Sequence, residues 1–438
     1  MIANSQPESL LPAEKPELSL GFVPLTDCAP LAIAHEKGFF ERWGLQVTLH
    51  REHSWASIRD KIAYGIFDGA QMLAPMPLAL TLGVGGVRRE VITSLVLDLN
   101  GNAITVSNQL YAQMQEALPE AMAKRPITAE ALKAVIEQRV AEGLPKLTLG
   151  KVFSTSTHNY ELRYWMASAG IDPDNDVKLI VVPPPDMPGL LKAGRIDGFC
   201  VGEPWNAFAV QRGYGTTLIT KHELWANSAE KVLGVTRDWA NQYPNTHARL
   251  IAAIIEACAW IDETENRPEV VGIISDERYI QAPEDVVRMS MLGTYQYEQD
   301  GPREPMPDFN VFYRYGANFP WRSYAVWFLT QMQRWQQWSL KEQAHADTLQ
   351  TIAEHVFQPD PYRRAAEALG IPAPFEDYKQ EGVHTAPWVL EQASAPLSMG
   401  PDAFFDNKTF DALNVSLPPR LKALPPGSTP VSETLGSS

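Results

Sequence analysis

LTLGKVFSTSTHNYELRYWMASAGIDPDNDVKLIVVPPPDMPGLLKAGRIDGFCVGEPW, residues 147–205, alternates short apolar runs with helical patterns. The run Leu147 to Val152 stops at Phe153-Ser-Thr-Ser-Thr157, and a helix is expected from His158, with Leu162, Trp165, Met166 and Ala169 as its apolar stripe. A second run, Val177 to Val182, ends in three prolines, which neither a helix nor a central strand can absorb. After a short helix from Pro188 to Ala193 comes a third run, Ile196 to Val201, and the turn Gly202-Glu-Pro-Trp205. Strand, helix, strand, helix, strand predicts a parallel sheet covered by helices. Ligands of such sheets lie beyond the carboxyl ends of the strands. Those ends here are small and polar or glycine, Ser154 to Thr157 and Gly202, which leaves backbone N–H groups for a small anion.

Outward from this stretch the same grammar continues. Leu18 to Val23, Leu45 to Leu49, Asp68 to Leu73, Val91 to Leu97, Ala103 to Ser107, Thr216 to Thr220 and Val232 to Val235 read as strands. Ser54 is placed to cap a helix. From Asn245 onward the chain is mainly helical. The central stretch sits between two segments of one other lobe, which predicts lobe 1 from 17–105 and 225–410 and lobe 2 from 106–224. Residues 1–16 are expected to be a disordered leader and 411–438 a flexible tail. The expected fold class is α/β: two lobes with parallel-rich sheets, a ligand cleft between them and a helical C-terminal part. Hinge closure around a ligand is the natural motion of such a body.

Composition narrows the function classes. A chain of 438 residues with 45% hydrophobic and 20% charged residues has room for two folded lobes. A formal charge of −15 opposes direct nucleic-acid or anionic-membrane binding, so an anion pocket must be locally electropositive. Three cysteines, Cys28, Cys200 and Cys258, give no disulfide framework and suit a reducing compartment. The first residues show no positive n-region or apolar h-region, and the expected location is cytoplasmic.

Catalytic signatures are mostly missing: no P-loop, GxSxG, HExxH or CxxC occurs, and the nine histidines are scattered. No cofactor or metal is expected. The one enzyme-like feature is Cys28 after the first strand, with His35 and His53 as the imidazoles to consider; a free cysteine more often packs as a small hydrophobe. On residue types alone Lys231 beside Glu230 reads as a solvated ion pair, His158 as a helix-start residue, Trp55 as core or pocket wall, and Asn102 as a turn residue.

Several longer stretches, among them GFVPLTDCAPLAIAHEKGFFERWGL, SWASIRDKIAYGIFDGAQMLAPMP, LNGNAITVS, DGFCVGEPWNAFAV and KHELWANSAEKVLGVTRDW, resemble the nitrate/bicarbonate substrate-binding proteins of ABC transporters. The likeness runs from about Leu18 to Phe410 and implies a type II periplasmic-binding-protein fold. It implies Trp55 as a pocket tryptophan, His158 as a donor to the bound oxyanion, and the Val201-Gly202-Glu203 turn as the segment touching the ligand from the second lobe. Because the Glu203 carboxylate would repel an anion, the backbone of that turn is expected to face the ligand. Lys231 falls where nitrate binders of the family have lysine and bicarbonate binders an acid. Asn102 stands where the transporter proteins usually have glutamine, an amide of longer reach. With the expected cytoplasmic location, the chain resembles the family's nitrate/nitrite sensors. The resemblance then implies a NasT-like RNA-binding antiterminator as partner, held inactive until nitrate or nitrite binds. The transporter's own nitrate- or bicarbonate-binding component is the alternative.

Overall fold

The computed structural model describes residue 2 and residues 6–340 and 348–416. In chain order the strands are β1 (Glu17–Phe22), β2 (Gln46–Arg51), β3 (Gly69–Leu73), β4 (Val91–Asn100), β5 (Asn102–Ser107), β6 (Thr148–Lys151), β7 (Lys178–Val181), β8 (Gly198–Gly202), β9 (Gly215–Thr220) and β10 (Ala229–Thr236). Shorter strands follow: β11 (Thr294–Gln296), β12 (Arg303–Pro305) and β13 (Asn310–Val311). Two sheets result, ordered β13-β4-β10-β3-β1-β2 and β7-β6-β8-β5-β9.

Each sheet has a parallel βαβ half and an antiparallel half. β1 pairs parallel with β2 and β3, and β6 pairs parallel with β7 and β8. β10 runs antiparallel to β3 and β4, and β5 antiparallel to β8 and β9. The antiparallel members are the strands on which the chain leaves one sheet and enters the other. The long βαβ runs can stay parallel because a helix carries the chain back each time.

The first crossing falls at Gly101, between β4 and β5, so the expected lobe boundary after residue 105 cuts through β5. Gly101 has φ of +87°, and a Cβ there would stand 2.6 Å from Asn310 Oδ1. Only glycine fits a turn of that hand in that space. A second correction concerns 284–309, expected in lobe 1. Val286, Met289, Tyr295, Tyr297, Met306 and Phe309 pack with Ala207 and Val210 of the helix Trp205–Gln211, covering the second sheet. Sequence order assigned this segment to the first lobe, whereas its apolar side chains bury against the second.

The leader is also corrected where it is described. Arg249, on the buried helix Pro244–Asp262, donates to the carbonyls of Pro7, Leu10 and Leu11. Glu14 accepts from the first-turn amides of Asn245 and Thr246, a helix start that favours a carboxylate. Residues 6–16 are thus strapped to the large lobe by polar contacts that a low-hydrophobicity segment does not advertise. Of the expected tail, residues 411–416 are ordered against the body, with Ala412 buried, and 417–438 lie outside the described residues.

Candidate functional site between the lobes

Where the two sheets face each other, the chain buries an unusual number of ionisable side chains. Asp27, Asp98, His158, Glu161, Lys221, Glu230 and Lys231 are all buried there. Burying one charge costs several kcal/mol unless it is paired, so the positions of these groups relative to one another decide what the site can do.

Asp27 follows the carboxyl end of β1, Lys221 follows β9, and Thr157, His158 and Glu161 share one face of the helix Thr157–Ser168. Glu230 and Lys231 are neighbours on β10, where successive side chains normally point to opposite faces. The pairing of β10 with β4 shifts register between Ala229 and Lys231, and this irregularity turns both side chains into the same cluster.

Glu230 is the centre. Its Oε1 accepts from Thr157 Oγ1 at 2.7 Å and Lys231 Nζ at 2.8 Å; its Oε2 accepts from Lys221 Nζ at 2.6 Å and Asn102 Nδ2 at 2.8 Å. Three of the four donors come from the second sheet or the chain leading out of it, while Glu230 belongs to the first. The carboxylate is therefore a clasp between lobes. Around it, Lys231 pairs with Asp27 at 2.6 Å and Lys221 with Glu161 at 2.7 Å. Gln71 donates to Asp27, and Asp98 Oδ1 accepts from the Lys231 amide at 3.0 Å.

Protonation follows from this packing. Burial alone would raise the Glu230 carboxyl, but Lys221, Lys231 and His158 together outweigh it and hold it well below the usual carboxylate range. Burial would depress Lys231, and Asp27, Glu230 and Asp98 hold it up instead. Asp27, more buried than it is compensated, rises to about 6. Asp98, raised by burial and then by Asp27, is pushed well up. His158 is pushed down to about 3 by burial, against the pull of Glu230, and is neutral at physiological pH.

Two ring nitrogens at the cluster make no hydrogen bond among the described residues, nor do two carboxylate oxygens, Asp98 Oδ2 and Glu161 Oε1, the latter ion-paired with Lys221. His158 Nε2 lies 3.2 Å from Glu230 Oε1 in a geometry that makes no hydrogen bond, and Trp55 Nε1 has no acceptor at all. The Trp55 ring lies against the Lys231 ammonium, 5.6 Å from centroid to nitrogen. Ser54 does cap its helix, accepting from the Ser57 amide.

Of the residues singled out from sequence, the structure gathers Asn102, His158 and Lys231 around the Glu230 carboxylate and sets the Trp55 ring against Lys231. The Val201–Glu203 turn is different. Its Glu203 amide donates to Gly101 O, its Glu203 carbonyl accepts from Thr26 N, and its Val201 carbonyl accepts from Asn206 Nδ2. These main-chain groups tie structure together rather than facing an open site, a correction to the expectation of a free backbone there. Gly202 does back the site: a Cβ would sit 3.4 Å from Asp27 Oδ2. The Glu203 carboxylate turns away, accepting from the Ala207 amide and Tyr295 OH, with its pKa raised to about 7 by burial. Nor is the Lys231–Glu230 pair solvated, since both side chains are fully buried.

Sequence reasoning missed Asp27, Gln71, Asp98, Glu161 and Lys221, and took Thr157 only for its backbone and Glu230 only as a solvated partner. A signal existed for two of them. Glu161 lies three residues beyond His158, on the same helical face, and Lys221 follows a strand end. Cys28 is buried with its thiol pushed up, chiefly by burial, while His35 is exposed and His53 stands 3.4 Å from Asp186. Nothing there activates a nucleophile. Among the described residues no group of three or more His, Cys, Asp and Glu is placed to hold a metal ion, and no helix is long and apolar enough to cross a membrane.

Two α/β lobes closing on a buried polar cluster define the class, a bilobed solute-binding protein of the periplasmic-binding-protein fold. Comparison with known proteins agrees. The profile of the NMT1-like family matches residues 11–275. The nitrate/nitrite binding protein NrtA of Nostoc sp. is 33% identical over 405 residues, 91% of this chain and 83% of that protein. The crystal structure of the periplasmic nitrate-binding protein NrtA from Synechocystis superposes with a TM-score of 0.78 at 29% identity, covering 92% of this chain and 97% of that one. The nitrate import ATP-binding protein NrtC of Synechocystis sp. is 41% identical over 364 residues, 82% of this chain but 51% of that protein. The chain thus spans about half the length of the first curated relatives it matches. It belongs to the NMT1-like family, and within it is related to nitrate/nitrite binding proteins of the NrtA type.

Proposed function

We propose that the interlobe cluster binds nitrate or nitrite, and that the protein is a cytoplasmic NasS-like sensor restraining a NasT-like RNA-binding antiterminator. One observation carries the binding reading: the donors from both lobes already converge on a planar, acceptor-only anion, the Glu230 carboxylate, with two donors on each oxygen. Nitrate has the same planarity, charge and acceptor character. Entering between Lys231 and His158, it takes over donors that Glu230 holds and finds two more in Trp55 Nε1 and His158 Nε2, which have no partner among the described residues. Lys231, with its ammonium held up by three carboxylates, supplies the charge that selects an anion over a neutral solute.

Calorimetry with nitrate, nitrite and bicarbonate tests this. Nitrate or nitrite is expected to bind, and Lys231→Met to weaken it by roughly a hundredfold or more, as loss of a charge-assisted contact in a buried site entails. Bicarbonate binding without nitrate or nitrite binding overturns the assignment.

The sensor reading is supported by the family resemblance and by three unpaired, buried cysteines that suit a reducing compartment. For a switch of a hundredfold or more, the anion must favour the partner-free conformer by about 3–5 kcal/mol, and anion and partner must weaken each other reciprocally. Equal nitrate affinity of free protein and antiterminator complex defeats the sensor reading and leaves anion binding standing. The second reading, a component of an ABC transporter, is favoured by its likeness to nitrate-import and bicarbonate-transport proteins; it predicts no antiterminator complex at all.

A further inference from the structure

On the outer edge of the second sheet, away from the cluster between the lobes, lies a cavity of about 610 Å³ lined by Lys146, Lys151, Arg163, Asp174 and Lys178. Four cations and one carboxylate in a protein of net charge −15 make this a local reversal of sign. Two of the cations are buried: Lys151 is 7% exposed and Arg163 6%. Lys151 Nζ and Arg163 Nε both donate to the same neutral atom, Asn159 Oδ1, each at 3.0 Å. Two positive groups therefore share one amide oxygen.

Asp174 pairs with Arg163 at 2.6 Å and is itself half exposed. No carboxylate is in ion-pair contact with Lys151 among the described residues, and Arg163 Nη1 makes no hydrogen bond among them, though the guanidinium lies 5.0 Å from the centroid of the Trp335 ring. Lys151 is pushed down to about 8, by burial first and by Arg163 second. Folded proteins rarely bury cations uncompensated. Arg163 has Asp174, so the deficit lies with Lys151 and the rim cations Lys146 and Lys178; an anion with several oxygens would accept from Lys151 and Arg163 and draw in both rim lysines.

We propose that this cavity is a second anion site, selective for the phosphate class: inorganic phosphate or the phosphomonoester group of a larger molecule. The site is independent of the nitrate reading, because its lining residues take no part in the interlobe cluster. Tetrahedral dianions satisfy several cations at once and gain from bidentate contact with a guanidinium, which a halide cannot offer.

The test uses the full chain at constant ionic strength, comparing inorganic phosphate, phosphoserine and chloride by calorimetry and thermal unfolding. Phosphate is expected to bind with a dissociation constant below about 1 mM and to raise Tm, chloride to do neither. Lys151→Met is expected to weaken phosphate at least tenfold, and the rim variant Lys146→Met/Lys178→Met, which leaves the interior untouched, by a smaller factor. Phosphoserine binding as tightly as phosphate identifies a phosphomonoester site; binding of phosphate alone identifies a free-ion site. Phosphate and chloride acting alike, or phosphate binding that neither variant weakens, overturns the proposal.

Discussion

The protein buries lysines in two places and treats them in opposite ways. Between the lobes, Lys221 and Lys231 each touch two carboxylates, and their ammonium groups are held above the ordinary lysine range despite full burial. At the edge of the second sheet, Lys151 touches an amide oxygen beside an arginine and is pushed below that range. His158 and Asn159, adjacent on one helical turn, serve the first region and the second respectively. The lesson is that burial does not fix a lysine's character; its neighbours do. A lysine held by carboxylates keeps its proton firmly and ties the lobes together, whereas one placed beside an arginine and an amide has its proton loosened by burial.

The strongest way to break this contrast is to remove each ammonium in turn. Lys231→Met leaves Asp27 and Glu230 facing each other in a dry interior and is expected to cost about 3–5 kcal/mol in denaturant unfolding. Adding Asp27→Asn should return a good part of that loss while leaving anion binding absent. Were Lys231→Met and Lys151→Met equally costly, the two regions would not differ in kind.

A pH series sharpens the comparison from the acid side. The His158 imidazole is held at about 3 in the folded protein against about 6.5 unfolded. The unfolded chain therefore takes up a proton that the folded one refuses, and stability falls as pH drops from about 6.5 toward 3. His158→Gln should flatten the curve in that window, by on the order of 2–4 kcal/mol at its acid end.

The alkaline limb gives the smallest effect and the most direct opposition. Lys151, depressed to about 8, binds its proton more weakly folded than unfolded, so its contribution to stability rises between about pH 8 and 10.4. Lys231 is shifted the other way, and its contribution is present below about 10.4 and lost as pH rises through its folded value. Lys151→Met is accordingly expected to be more stable than the parent at pH 7, by about 1–2 kcal/mol, with the gap closing toward pH 10. Chemical denaturation at the two pH values reads it.

The fold was legible because its strands are apolar runs bounded by proline, glycine and small polar residues. β4, β6, β7, β8 and β9 fall within three residues of the runs that announced them. What stayed hidden were pairings between distant segments. Nothing local in 284–309 says which lobe it covers, and nothing in residues 6–16 reveals that Arg249 collects their carbonyls. The site was half legible for the same reason. Lys231 and His158 were found through likeness to a family, while Glu230, the residue that joins them, looked like the solvated half of a surface pair. A register shift in one strand, invisible in the residue string, turns it inward.

Glu230 has one more consequence. A carboxylate tethered to the receptor's own backbone is a competitor that diffusion cannot dilute, and its effective concentration is set by the chain rather than by the medium. Any solute anion that enters between Lys231 and His158 contends with it, so the threshold for occupancy lies above the intrinsic affinity of the donors. On the proposed anion-binding reading, strand β10 thereby carries a built-in set point, adjustable by a single side chain.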